Sequence, residues 1–243
     1  MFAKDHNAFL VWVMLGGFVV SFAYALIFRI HPTVDAEAYD NIAQNLVVGN
    51  GFVEEAGADP AVDPAIVRVG PLYQYFLAGI YAVFGHRLWV VWLVQALLHA
   101  VSAYFVYSTA RIAFRAYPFG QWASLLAATI FSFYPDLIEI SAMLLTETLY
   151  LFFWTLMIYL FVRFMDRHRE LHKSALLKEW FRSMAESLRF ARPNHPSARD
   201  WFGIIILGIV SGLSVLARPT VLFVLPAMYV FLYTRKKFSL MLV

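Results

Sequence analysis

Two acidic residues, Asp35 and Glu37, follow the first apolar segment in the run His31-Pro32-Thr33-Val34-Asp35-Ala36-Glu37-Ala38-Tyr39-Asp40. A carboxylate at the boundary between water and lipid is partly desolvated, which makes it a stronger proton acceptor for a hydroxyl. Its oxygens can also hold a divalent cation. Acids at a helix start are equally favoured by the helix dipole, so the pair gains chemical meaning only from its surroundings. Three further ionisable residues supply them. Arg68 precedes Pro71-Leu72-Tyr73-Gln74-Tyr75, Glu147 lies within an apolar run, and Arg218-Pro219 closes another. An ionisable group inside an apolar span is costly, which makes Glu147 a functional candidate; Arg218 has the competing reading of an interfacial anchor.

The elements that must position these residues belong to a membrane protein. Of 243 residues, 61% are hydrophobic and 18% aromatic, and the mean hydropathy is +0.66. There is no cysteine, which excludes thiolate metal sites and cysteine nucleophiles. The net charge of +3 is parcelled out between apolar runs rather than gathered on one face, which argues against nucleic acid as a partner.

Ala8 to Phe28 carries no charge over 21 residues, enough helix to cross about 30 Å of hydrocarbon, and reads as a retained anchor. After Pro32 the apolar positions Val34, Ala38, Ile42 and Leu46 predict a short surface helix, stopped by Gly49-Asn50-Gly51. Phe52 to Val69 carries Glu54, Glu55, Asp59, Asp63 and two prolines and reads as a loop. Leu72 to Phe84 is too short to span and suggests a re-entrant or interfacial helix. Further spans are expected over Leu88–Ala110, Gln121–Tyr134, Met143–Val162, Trp201–Ala217 and Val221–Tyr233, with Pro135 to Glu139 as a tight hairpin. The expected fold is therefore an all-α polytopic membrane protein with about six transmembrane helices, plus interfacial helices in the first outer loop. The chain reads as a single transmembrane domain over 1–243, with an outer loop at 29–86. His99, alone in the second span, reads as a hydrogen-bonded packing residue.

With the N-terminus inside, fifteen Lys and Arg residues fall on the cytoplasmic side and four on the other. That orientation puts the acidic loop, which holds seven of the sixteen acids, on the outer side with Asp136, Glu139 and Arg218. The basic segment 164–200 has Leu177, Phe181, Met184 and Leu188 at helical spacing and reads as a cytoplasmic amphipathic helix on anionic lipid.

These residues resemble a family. Asp35 with Tyr39, Ile42-Ala43, Leu46 and Gly49-Asn50-Gly51-Phe52, then Arg68-x-x-Pro71-Leu72-Tyr73 and Phe76 to Gly85, are similar to the N-terminal portion of GT-C fold membrane glycosyltransferases. The resemblance continues through Tyr134-Pro135, Thr146-Glu147 and Ala217-Arg218-Pro219, and is nearest to bacterial relatives of protein mannosyltransferases and of the lipid A aminoarabinose transferase. Such enzymes pass a sugar from a polyprenyl-phosphate carrier to an acceptor on the outer face of the membrane.

The resemblance implies Asp35 as general base, Glu37 as its supporting carboxylate, and Glu147 as an orienting group. Arg68 and Arg218 would bind the carrier phosphate, and Tyr39, Tyr73 and Tyr75 would line the sugar site unless they serve as interfacial anchors. A divalent cation, if one is used, falls to Asp35 and Glu37. The implied partners are the lipid-linked donor, a lipid, glycan or protein acceptor, and membrane lipids, with the bacterial inner membrane as the location. This chain has Asp-Ala-Glu where relatives often have a plain Asp-Glu pair. Relatives are longer, so the chain is expected to be the N-terminal part of a GT-C enzyme. The competing class is a transport-type or non-catalytic membrane protein, including an inactive truncated copy. A transporter predicts paired inverted repeats, and the sequence shows none.

Overall fold

The computed structural model describes residues 2–63, 65, 70–183 and 198–226, with side chains described over 7–63, 65, 70–167 and 201–226. Its described elements are helical: α1 (Phe2–Phe28), α2 (Asp35–Val48), α3 (Pro71–Phe84), α4 (Leu88–Ala113), α5 (Gly120–Phe133), α6 (Pro135–Ala142), α7 (Thr146–Ser183), α8 (Ala198–Ala217) and a 3-10 turn over Pro219–Phe223. No strand occurs among the described residues. The protein is an all-α polytopic membrane protein.

Three helical segments are long and apolar enough to cross a membrane, Asn7–Phe28, Leu88–Ala113 and Thr146–Arg167, and the bent pair Gly120–Phe133 with Pro135–Ala142 counts as a fourth when taken as one broken span. Trp201–Ala217 is a shorter apolar helix. Most of the expected span over Val221–Tyr233 lies outside the described residues, and its first residues form part of the 3-10 turn.

The bent pair corrects the hairpin expected at Pro135 to Glu139. Those residues are helical and belong to α6, set at 47° to α5. Proline is at home in the first turn of a helix, where its missing N–H has no intrahelical partner to lose, so Pro135 starts α6 rather than forming an open turn. The chain then turns at Met143 to Leu145, and α7 begins at Thr146, three residues later than expected.

Helix α4 is the spine of the bundle, packing against α1, α5 and α7, while α8 packs on α7. Two of its polar residues face the α5–α6 bend. His99 is buried, stacks on Phe131 at 5.3 Å and bonds through Nε2 to the Ser132 carbonyl at 3.1 Å, as a packing histidine should. Gln95, four residues earlier and fully buried, donates to the carbonyls of Ser141 and Met143, both at 2.9 Å. Carbonyls at helix ends lack intrahelical donors, and in apolar surroundings side chains must supply them.

Helices α2 and α3 fill the connection between α1 and α4 and pack on each other. The buried face of α2 differs from the stripe expected. Ala36, Ala38, Tyr39, Asp40, Ile42, Ala43 and Asn45 are buried, whereas Val34 is 80% exposed. Val34 stands just before the helix, and α2 uses its small residues to approach α3 closely. Gly49 ends α2 at φ 87°, as the glycine-rich stop predicts.

Candidate active site

Asp35 and Glu37 occupy the first turn of α2 and are exposed. Val34, immediately before them, has φ 51°, a left-handed backbone that a β-branched residue rarely adopts. The strained turn leads directly into the helix start at Asp35. Residues two apart on a helix point to different faces, so Asp35 and Glu37 do not converge on one ion. Among the described residues no group of three or more His, Asp or Glu is gathered as metal ligands. The carboxylate pair does not fit a divalent cation on its own, and no step below uses one.

One turn into α2, Tyr39 is buried and packs edge-on against Tyr73 in the first turn of α3, with ring centroids 5.8 Å apart. Tyr73 is fully buried, and its hydroxyl donates to Gln95 Oε1 at 2.7 Å. Burial pushes the Tyr73 phenol well above the ordinary tyrosine range, and the carboxylates of Asp40 and Glu147 add to the rise, so the phenol stays a donor. Tyr39 and Tyr73 thus form the packed floor between α2 and α3. Tyr75 is 55% exposed and lies beside Phe52 at 5.8 Å.

The polar path continues from Gln95 through the Ser141 and Met143 carbonyls to the start of α7. There Glu147 sits in the first turn, its Oε2 accepting from the Thr146 hydroxyl at 3.2 Å. Its Oε1 lies 3.1 Å from Arg218 Nη1. Arg218 has extended backbone between α8 and the 3-10 turn, with its side chain 39% exposed and that of Glu147 25% exposed. Two candidates distant in sequence are therefore an ion pair.

Gly70, at the start of α3, touches the same corner. A Cβ on Gly70 would fall 2.1 Å from the Ala217 carbonyl oxygen, and its φ is +77°, so both contact and conformation require glycine. Arg68, two residues earlier, lies outside the described residues. The arrangement brings together the start of α3, the start of α7 and the end of α8. A second ion pair, Arg115 with Asp166 at 2.6 Å, joins the α4–α5 turn to α7 some twenty residues farther along that helix.

Sequence reasoning missed two buried acids. Asp40 is 8% exposed; it accepts from the Tyr81 hydroxyl, from His86 Nε2 at 2.9 and 3.0 Å, and from Gln44 Nε2 at 3.0 Å. Burial and the Asp40 carboxylate push the Tyr81 phenol far up. Asp40 lies four residues after Ala36 and three before Ala43, on one helical face, which was the available signal. Asp63 is 3% exposed and is no ordinary loop charge. Its Oδ1 accepts from the Glu54 N–H at 2.9 Å and the Ala65 N–H at 2.8 Å, and these bonds, Glu54 first, hold its carboxyl below the ordinary value despite burial. Asn45 ties the same loop to α2 by donating to the Val53 carbonyl at 3.0 Å.

Residues 68–178 match the family described as dolichyl-phosphate-mannose-protein mannosyltransferase. The matched segment contains Tyr73, Gln95 and Glu147, while Asp35 and Arg218 lie to either side of it. The match supports a GT-C-like glycosyltransferase, a membrane enzyme class that draws on lipid-phosphate sugar donors. No match was obtained with curated proteins or with solved structures.

Proposed function

We propose that this protein transfers a sugar from a polyprenyl-phosphate carrier to a hydroxyl-bearing lipid, glycan or protein at the outer face of a bacterial inner membrane. The observation that carries the reading is the Glu147–Arg218 ion pair beside the Gly70 contact, within a chain whose 68–178 segment matches the mannosyltransferase family. In this reaction the acceptor oxygen attacks the anomeric carbon while the bond from that carbon to the carrier phosphate oxygen breaks. The leaving phosphate gains negative charge, and a cation fixed beforehand next to it lowers the barrier most.

Arg218 is that cation, oriented by Glu147, with Arg68 as its expected companion. Asp35 takes the acceptor's proton, and Glu37 supports its charge. Tyr39 and Tyr73 shape the floor beneath the sugar. The catalytic loop is 29–86. The excess of Lys and Arg on the opposite side favours a cytoplasmic N-terminus and a cytoplasmic segment at 164–200.

The test is transfer of labelled sugar from a polyprenyl-phosphate donor by purified protein and by its Asp35→Ala and Arg68→Ala variants. Loss of transfer in both is expected. Undiminished transfer by Asp35→Ala would overturn the assignment of the base.

A further inference from the structure

The face of α2 that meets α3 carries Ala36 and Ala43 on either side of Asp40, with Tyr39 packed edge-on against Tyr73. The short alanine side chains allow close approach but do little by themselves to fix how far one helix slides along another, so the register falls to the larger and the polar contacts. Asp40 adds a hydrogen-bonded contact on that face. Its two oxygens receive Tyr81 from the third turn of α3, His86 from the α3–α4 turn and Gln44 from its own helix. His86 also packs edge-on to the Tyr81 ring at 4.8 Å, so each partner steadies the other. A buried carboxylate is tolerated only when its lone pairs are filled in one geometry, which makes this node sensitive to register in a way the alanines are not.

We propose that Asp40 is a positioning residue. It sets the register of α2 against α3 and the α3–α4 turn, and thereby holds the turn carrying Asp35 in place for proton removal. The catalytic part of this inference rests on Asp35 acting as base; the structural part stands apart from it. His86, with its side chain 44% exposed, is the outer bolt of the node, and Tyr81 the inner one.

The absence of cysteine makes a direct test available. Spin labels placed through Val48→Cys and Val83→Cys, at sites 70% and 73% exposed, report the distance between the ends of α2 and α3. The same proteins are assayed for sugar transfer with kcat and donor KM separated. In Asp40→Asn the distance distribution should broaden, and kcat should fall by as much as about 10²-fold, the cost of small misplacements of a reacting group. Donor KM should stay near its original value, because the carrier phosphate is held elsewhere.

Tyr81→Phe and His86→Gln, each removing one bolt, should give intermediate effects on both readouts, and they carry the test if Asp40→Asn does not fold. A narrow, unchanged distance in the Asp40 and bolt variants would overturn the inference, whether or not transfer falls. So would a broadened distance with unchanged kcat, or a defect confined to donor KM. If the parent protein transfers no sugar, the proposed function fails, and the distance measurement alone still decides whether Asp40 sets the register.

Discussion

Arg218 Nη1 stands 3.1 Å from Glu147 Oε1, fastening the end of α8 to the first turn of α7. Because both side chains are partly exposed, the pair itself contributes only about 0.2–1 kcal/mol to stability. Its value lies in aiming a guanidinium. Arg218→Ala should therefore raise donor KM and lower kcat with little change in thermal stability, whereas Glu147→Gln, which leaves the cation present, should do less. Steady-state kinetics of the two single variants and the double variant measure the coupling. Unaltered donor kinetics in Arg218→Ala would remove the phosphate role.

Gln95 is a stability determinant rather than a chemical one. Gln95→Leu leaves the Tyr73 hydroxyl and the Ser141 and Met143 carbonyls without their partner. Each buried polar group stranded in this way costs about 1–3 kcal/mol. A clear drop in melting temperature in detergent is expected, larger than for Gln121→Leu, at a partly exposed position in the first turn of α5.

Gly70→Ala tests the corner without altering any charge. The new methyl group would meet the Ala217 oxygen at 2.1 Å in a backbone already at φ +77°, a strain of about 1–3 kcal/mol before the clash is counted. Transfer should fall sharply. Gly57→Ala, at φ +85° with nothing within 4 Å of the added carbon, is the matched control and should keep most of the activity. Equal effects of the two substitutions would show that close packing at residue 217 is unimportant.

The loop over 52–65 should depend on pH through Asp63. Its folded carboxyl titrates below the ordinary value of 3.8, held down first by the Glu54 N–H and then by those of Ala65 and Glu55. A depressed folded value means that the charged carboxylate stabilises the loop at every pH above the ordinary value. That contribution fades as the pH falls from about 4 through the lower folded value. Limited proteolysis or hydrogen exchange at 52–65 should show opening only in this acid range. Asp63→Asn should open the loop at neutral pH and flatten the dependence.

The apolar runs made the helical membrane class legible, since length and hydropathy alone identify Asn7–Phe28 and Leu88–Ala113. Gly49 and the His99 hydrogen bond also followed from local chemistry. What stayed hidden was set by tertiary contact. Pro135 reads as a turn in isolation, and only the donors on α4 show why a bent helix continues there. Asp40 and Asp63 did not stand out in the sequence, because their partners, His86 and the Glu54 N–H, lie many residues away. Of the candidate site, Glu147 and Arg218 were expected on one side, but their direct pairing was not readable from spacing. Tyr39 and Tyr73 were expected to line the site or to anchor at the interface, and they are buried against each other between α2 and α3.

The bend at Tyr134–Pro135 has a consequence for how the bundle was assembled. Gln95 and His99 stand one turn apart on α4; His99 fills the Ser132 carbonyl, which the Asp136 N–H would take in a straight α5–α6 helix, while Gln95 fills the Ser141 and Met143 carbonyls where α6 ends. Straightening the pair would take the Ser132 carbonyl away from His99. The kink is thus held at Ser132 by the neighbouring helix as well as by its own proline. Pro135→Ala should keep the angle, which makes α4 the template and α5–α6 the cast.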